Sequence, residues 1–483
     1  MKSNFINSTF TEAHGVEFVS ESPNDGEIIF KGNSSTQEDV DAAVSAAKNA
    51  SENWANLSLE ERTPYLKRFI RNVEARKEEL SKTISMEIGK PKWEADAEVA
   101  SVTGKLEPSI DAYKTRCCDI IKHSNNYKGV TRFRPLGVTG IIGPYNYPMH
   151  MSNGHILPSL IAGNTVVLKP SEKAPLCAQK IIECWAEACL PTGTINMIHG
   201  DAVTVKNLVE NEYVNGVFFT GSSVAGEAIG KIASTNQMLA LEMGGDNPII
   251  AWDASNIESA VNTIIQSAFI TAGQRCICAR RLILPDNEFA DELVAKLVKT
   301  TKNITIGKYD DEKTPFYGPL RTSDMVDNSL ALQEQMLKHG GIILSKAERL
   351  PVGKNFISPA IIDITGTDIK SNNEIFFPFI TIKRINTFDE ALREANNTEY
   401  GLSASLLSEN RNLYEKYINK IKAGIVNWNK PTSGSSIWAA FGGIKRSGNF
   451  RPSGYLATDA FSYSVASTES DNLGDVPLPT GIK

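Results

Sequence analysis

Apolar residues recur at Val40, Ala43, Val44 and Ala47, three and four positions apart, which predicts an amphipathic helix over residues 36 to 57. Ser58-Leu-Glu-Glu61 has the form of a capping box, and Leu66, Phe69, Ile70 and Val73 carry a second apolar face behind it. After this helical opening the period changes. The stretch YKGVTRFRP (127–135) alternates and predicts an exposed strand, either a core edge or an arm reaching another subunit. From residue 137 the runs GVTGII, NTVVLKP, GTINMI and GVFF are short, β-branched and bounded by Gly or Pro. Helical stretches separate them, one from about 174 to 189 and one formed by GSSVAGEAIGKIA. That grammar predicts a parallel sheet covered on both faces, with binding crevices at the carboxyl ends of its strands. A second α/β stretch starts near Asn256 with a long helix (256–271), a strand RLILP and a helix at 288–302, and continues to about 440. The tail after Ala466 is polar and carries Gly and Pro, which suggests an extended path over a surface of this chain or of a partner.

Composition narrows the function classes. The 483 residues give room for two or three domains, and 41% hydrophobic with 22% charged residues is ordinary for a globular protein. The net charge is −6, and no Lys/Arg run points to nucleic acid or an anionic membrane. The start, MKSNFINSTF, lacks the apolar core of a secretory signal, and no apolar stretch reaches the roughly 18 residues of a membrane span. A cytoplasmic location is the expectation. The seven cysteines (117, 118, 177, 184, 189, 276 and 278) include no Cys-x-x-Cys and no finger-spaced histidine, so neither a disulfide framework nor a metal site is expected.

Five stretches could carry chemistry. In FFTGSSVAG a strand ends at Thr220, Gly221-Ser222 opens a helix and Gly226 lies in its first turn; this is a phosphate site or a plain strand-to-helix turn. LKPSE brings Lys169, Ser171 and Glu172 to a strand end, where a carboxylate can accept from a ribose diol and repel a 2′-phosphate, or can simply sit in a solvated loop. LEMGGDNP places Glu242 before two glycines, as a partly desolvated general base or as a surface glutamate. GPYNYPMH holds Asn146 between prolines, as an oxyanion donor or an Asx turn. TAGQRCIC places Cys276 past a helix end beside Arg275, whose charge should favour the thiolate, while Cys278 faces away if the chain there is extended.

The motifs GPYNYP, AGNTVVLKPSE, FTGSSVAG, LEMGGDNP, FITAGQRC, EIFFP, NWNK and FGGIKRSG, in this order, make the chain resemble the NAD(P)-dependent aldehyde dehydrogenase superfamily over almost its full length. The resemblance implies an α/β fold. It has a Rossmann-like cofactor domain (1–126 and 137–248), a catalytic α/β domain (249–440), and a β oligomerisation arm with the tail (127–136 and 455–483). Homodimers or homotetramers would follow. It implies Cys276 as nucleophile, Glu242 as base, and Asn146 with the Cys276 backbone N–H as oxyanion hole. Lys169, Ser171 and Glu172 would hold the adenosine end of NAD, Gly221, Ser222 and Gly226 the pyrophosphate region, and Glu374 and Phe376 the nicotinamide end. One motif departs from the pattern: Phe377 stands where a glycine is usual, which would shift the loop that grips the nicotinamide.

Within that family, GPYNYPMHMSNGHILPSLIAGNT, QSAFITAGQRCICARRL, AGIVNWNKPTSGSS and ASTESDNL are similar to succinylglutamate semialdehyde dehydrogenases of bacterial arginine catabolism. Gly154, at a position often aromatic in the family, would widen the tunnel, with His150, Met151 and Ile277 lining it. A substrate with two carboxylates calls for cations, and Arg275 and Lys430 are the candidates. The other readings are a different aldehyde such as succinate semialdehyde, and a catalytically silent binding or structural member of the fold.

Overall fold

The computed structural model describes residues 3–123, 127–369, 374–473 and 478–482; residues 1–2, 124–126, 370–373, 474–477 and 483 of the expected units lie outside the described residues. The opening helix runs Gln37–Asn56 behind a Thr36 cap, and the next, Leu59–Ala75, carries the expected Ser58/Glu61 capping box. Val40, Ala43, Val44, Leu66, Phe69 and Val73 are all fully buried, so the helical period of the sequence does mark the packed faces.

The first sheet runs, edge to edge, Met238–Met243, Val214–Gly221, Val138–Ile142, Thr165–Lys169, Ile195–Met197, Asn4–Ile6 and Thr9–Thr11. The strands from Met238–Met243 to Ile195–Met197 are parallel, and the two N-terminal strands close the edge antiparallel. The chain starts this parallel set at Val138–Ile142, moves one way to Ile195–Met197, and returns to pair Val214–Gly221 on the other side. A crevice therefore opens at the carboxyl ends of Val138–Ile142 and Val214–Gly221, where successive connections diverge.

The second sheet runs Ile342–Ser345, Ala360–Asp363, Phe379–Ile385, Ala279–Pro285, Asn247–Ala251, Ser403–Leu407 and Ile425–Trp428. All its pairs are parallel except the first. It begins at Asn247, just ahead of the expected start at 249. The arm is a three-stranded antiparallel sheet in which Ser462–Glu469 pairs along Lys128–Pro135, and Ile120–His123 adds a third strand upstream of the expected start at 127. Among the described residues no helix is long and apolar enough to cross a membrane.

Candidate active site

Loops at the carboxyl ends of the first sheet converge on a cavity of about 910 Å³. Asn146 follows Val138–Ile142, Lys169 to Lys173 follow the next strand, Gly221 to Ala225 follow Val214–Gly221, and Glu242-Met243 end the edge strand. The second unit contributes Arg275, Cys276 and Ile277, together with Glu374 and Phe376. Residues far apart in sequence thus meet because one sheet's carboxyl edge faces the loop that leads into the other sheet.

The loop carrying the cysteine is shaped before it arrives. The helix Ile257–Phe269 ends, and Thr271, Ala272 and Gly273 follow at φ 57°, 51° and 72°. Two non-glycine residues in the left-handed region store on the order of 1–3 kcal/mol each, a strain found where surrounding contacts fix a functional geometry. Gly273 must be glycine, since a Cβ there would stand 2.3 Å from the Phe377 carbonyl oxygen. The fully buried Arg280 guanidinium donates to the carbonyls of Gly273 and Phe377. Asn247, first in its strand, donates from Nδ2 to the carbonyls of Cys276 and Cys278 at 2.7 and 2.8 Å. A tight turn (Cys278 N–H to Arg275 carbonyl, 3.1 Å) then separates the sulfurs. Cys276 lines the cavity; Cys278 is fully buried against Ile270.

Electrostatics corrects the expected thiolate. Burial, and then the nearby charges of Glu374 and Glu242, push the Cys276 thiol well above its ordinary range. Arg275 does not offset this, because its Nη2 is 2.8 Å from Glu94 Oε1 and its Nε donates to Thr271 Oγ1 at 2.7 Å. Glu242 is 3% exposed and its oxygens make no well-formed hydrogen bond among the described residues; burial outweighs the Ser453 hydroxyl and the Lys105 charge and raises its pKa to about 7. His155 Nε2 lies 3.8 Å from Glu242 Oε1, and burial lowers that imidazole to about 3, so it is neutral. Asn146 donates one amide hydrogen from Nδ2 to the Gln274 carbonyl at 2.8 Å, which fixes the amide beside the cysteine loop and leaves its second hydrogen available. A thiol, a carboxyl that titrates near neutrality and an oriented amide donor can together add to a carbonyl, hold an oxyanion and move protons.

The other half of the cavity is a groove. Ser222 caps the helix Ser223–Ile232 by accepting from the Ala225 N–H at 3.3 Å, so this helix presents its N-terminus at the groove. Val205, Val224, Ala228, Ile229 and Ile232 form apolar walls beside it. Lys169, 3% exposed, reaches Glu172 at 3.5 Å, and Ser171 accepts from the Lys173 N–H at 3.2 Å. A helix N-terminus, a flat apolar slot and a lysine–carboxylate pair fit the phosphates, base and ribose of a dinucleotide. Glu374 accepts from the Gly245 N–H at 3.2 Å, and a Cβ on Gly244 would overlap its carboxylate, so this glycine admits Glu374 to the site.

Several expected residues fall elsewhere. Gly226 does not line the cavity: a Cβ there would be 2.4 Å from Met243 Sδ, so its smallness serves helix-on-strand packing. Lys430 is exposed and outside the cavity, its carbonyl accepting from Ser405 Oγ. Phe377 turns its ring into the core of the second unit against Phe379, 5.9 Å away, and only Phe376 reaches the cavity, so the replaced glycine does not obstruct the site. Gly154 does not line the cavity; the space a Cβ there would enter is bounded by Lys105, whose Nζ would stand 3.6 Å from it. His150, Met151 and Ile277 do line the cavity.

The sequence reading missed the helix Lys92–Thr103, whose Ala97, Glu98 and Ser101 line the cavity. Lys90 and Glu98 form an ion pair at 2.7 Å, both fully buried, and Glu98 Oε1 accepts from the N–H groups of Met149 and His150. This carboxylate therefore caps the helix Pro148–Ala162 from outside, just past Asn146. Buried acids near a lysine in the stretch KPKWEADAE were the available signal, but helical spacing alone does not reveal a cap supplied by another helix.

Known proteins agree with this geometry. The chain is 41% identical to the N-succinylglutamate 5-semialdehyde dehydrogenase of Chromobacterium violaceum over 98% of each chain. It is 42% identical to that of Legionella pneumophila, over 98% of this chain and 96% of the relative. Among solved structures, PnpE from Pseudomonas sp. WBC-3 superposes with a TM-score of 0.93 at 29% identity over 99% of both chains, and PnpE has also been solved in complex with nicotinamide adenine dinucleotide. The NADP-dependent glyceraldehyde-3-phosphate dehydrogenase of Bacillus halodurans, solved with NADP, gives 0.90 at 27% identity, over 97% of this chain and 99% of that one. The aldehyde dehydrogenase family profile matches residues 10–465, and the protein belongs to that family.

Proposed function

We propose that this aldehyde dehydrogenase oxidises N-succinylglutamate 5-semialdehyde to N-succinylglutamate with NAD⁺, as a step of arginine breakdown. The observation that carries the chemistry is the meeting of Cys276, Asn146 and an unpartnered Glu242 in one cavity that continues into the dinucleotide-fitting groove. The full-length identity to relatives of that name carries the substrate.

In this reading Cys276 attacks the aldehyde carbon. Its thiol is held protonated, so Glu242, titrating near 7, takes the proton as the carbon–sulfur bond forms. The carbonyl electron pair moves to oxygen, where the second Asn146 amide hydrogen and the Cys276 backbone N–H meet it. When bound, the dinucleotide supplies the acceptor for the hydride that leaves the substrate carbon. The acyl group then stays on Cys276 as a thioester. Once Glu242 has released the thiol proton to solvent, it removes a proton from water, the water oxygen attacks the acyl carbon, the carbon–sulfur bond breaks with the electron pair going to sulfur, Glu242 returns its proton to that sulfur, and the carboxylic acid leaves. The groove residues hold the cofactor: Glu172 with Lys169 at the adenosine ribose, the helix N-terminus behind Ser222 at the pyrophosphate, Glu374 and Phe376 at the nicotinamide end. Glu172 would repel a 2′-phosphate, which favours NAD⁺ over NADP⁺. The arm supports pairing with further copies, since Ile120, Ile121, Tyr463 and Val465 are exposed on it.

The test is NAD⁺ reduction with N-succinylglutamate 5-semialdehyde, succinate semialdehyde and simple aliphatic aldehydes, on the wild type and Cys276→Ser. The succinylated substrate should give the highest kcat/KM, and the serine variant should lose turnover. Unchanged activity in that variant would remove Cys276 as nucleophile. Equal or better efficiency with aliphatic aldehydes would remove the substrate assignment.

A further inference from the structure

The proposed substrate carries two carboxylates besides its aldehyde. One sits on the carbon that bears the amide nitrogen, a short aliphatic chain away from the aldehyde; the other ends the succinyl group. Among the described residues that line the cavity, the cations are Lys169, Lys173, Lys206 and Arg275. The three lysines stand in the dinucleotide groove. Lys169 pairs with Glu172, Lys173 follows in the same loop, and Lys206 is next to the apolar wall residue Val205. His150 lines the cavity on the other side, but burial keeps its imidazole neutral. Of these groups, Arg275 is the one that brings positive charge to the cysteine end.

The Arg275 side chain is anchored on one side only. A guanidinium offers five N–H donors in a rigid fork. Nε donates to Thr271 Oγ1 at 2.7 Å and Nη2 to Glu94 Oε1 at 2.8 Å, and the Tyr147 ring centre lies 5.1 Å from the guanidinium carbon. Nη1 has no acceptor among the described residues, and the side chain of this cavity-lining residue is 16% exposed. Glu94 lies on the face of the helix Lys92–Thr103 that continues, at helical spacing, to Glu98 and Ser101 of the cavity wall. The fork is therefore tied to the start of that wall. It also hangs from the residue immediately before the nucleophile, about 3.8 Å away along the chain. Two anchors fix its direction before any substrate arrives, and Glu94 offsets the cost of taking its charge out of water, so the free donors are already ordered for an incoming anion.

We infer that Arg275 recognises the nearer substrate carboxylate, through the guanidinium donors that Thr271 and Glu94 leave free. The inference rests on the substrate class proposed above. It gives the Glu94–Arg275 pair a task beyond stability: the pair aims a donor set at a group close to the aldehyde and so holds the reacting carbon against Cys276. An aldehyde without that carboxylate lacks the hold.

The experiment is a cycle between protein and substrate. It measures kcat/KM for N-succinylglutamate 5-semialdehyde, for 4-(succinylamino)butanal, which keeps the succinyl carboxylate and lacks the nearer one, and for pentanal. The proteins are the wild type, Arg275→Lys, and the double variant Arg275→Met with Glu94→Gln, which removes both charges and leaves no orphaned acid. In the wild type, loss of the nearer carboxylate should lower kcat/KM on the order of tenfold to a hundredfold, the scale of a charge-assisted hydrogen bond. In the double variant the two succinylated aldehydes should come within about threefold of each other. Arg275→Lys should fall between, because one ammonium cannot serve Glu94 and the substrate as a fork does. Either variant keeping the full wild-type ratio would overturn the inference, since the carboxylate would then be read elsewhere. Equal losses with all three aldehydes would overturn it too, because Arg275 would then only shape the loop. A wild type that treats the two succinylated aldehydes alike and prefers both to pentanal would remove the role of Arg275 and leave the substrate proposal standing. A wild type that prefers pentanal would remove both.

Discussion

Two sets of buried acids flank Cys276, and they are built on opposite principles. Glu94 and Glu98 share a balanced cluster with Arg275 and Lys90. Burial pushes the Glu94 carboxyl up, but Arg275 and Lys90 outweigh it and hold it below the usual carboxylate range. Glu242 and Glu374 have no charged ion-pair partner among the described residues, the His155 imidazole 3.8 Å from Glu242 being neutral, and burial raises both carboxyls to about 7. The difference separates two tasks. The paired Glu94 stays charged and anchors the residue before Cys276, and Glu98, paired with Lys90, caps the helix that follows Asn146. An unpaired carboxyl exchanges protons near neutrality, which is what a base acting on a protonated thiol and on water requires.

The sharpest break in this comparison is thermodynamic. Glu94→Gln leaves Arg275 buried without its counter-charge, and stability should fall by about 3–5 kcal/mol in urea denaturation. A loss under 1 kcal/mol would mean that the cluster contributes no more than surface pairs do. Glu242→Gln should move the other way. The folded pKa of Glu242 is raised from 4.5 to about 7, so its favourable contribution is complete below the unfolded value and is lost as pH rises through 7. Above pH 7 the glutamine variant should therefore gain on the wild type, by up to about 3 kcal/mol, and should lose that advantage near pH 4. A glutamine variant that is less stable at every pH would show that the ionised carboxylate has a partner.

Smaller changes probe the supports. Gly226→Ala places a methyl group against Met243, next to the base, and should cost about 1–3 kcal/mol in thermal or urea unfolding while leaving the affinity for NAD⁺ within a few-fold. A large loss of NAD⁺ affinity with normal stability would return Gly226 to the cofactor site. Smallest of all, Glu172→Gln should improve kcat/KM for NADP⁺ relative to NAD⁺ by roughly tenfold, about 1.4 kcal/mol. An unchanged ratio would place cofactor choice elsewhere.

These contrasts also mark what the sequence could convey. Short motifs pointed to Asn146, Lys169, Glu172, Ser222 and Glu242, which the carboxyl ends of a parallel sheet bring to one cavity, and to Cys276 in the loop that leads into the second sheet. The alternation in YKGVTRFRP located the arm, but its third strand, Ile120–His123, belongs to the sheet only through pairing. Side-chain direction was not legible. Phe377 faces a core and Gly226 a methionine, and neither fact has a local signature. Charge was the least legible property. Arg275 beside Cys276 suggested a thiolate, but Glu94, 181 residues earlier, engages that guanidinium, and the thiol is pushed up. Lys105 and Gly154 carry no pattern in sequence; they meet only because the chain just past the helix Lys92–Thr103 packs against the helix Pro148–Ala162.

The central claim is that an unpaired, buried Glu242 acts as the base. The pH dependence of kcat for the favoured semialdehyde tests it most directly. The account predicts a rise with pH that bends near 7 as Glu242 ionises. It predicts that Glu242→Gln removes the bend and lowers kcat about 10²–10⁴-fold. A glutamine variant that keeps the bend near pH 7 and turns over within a few-fold of the wild type would contradict it.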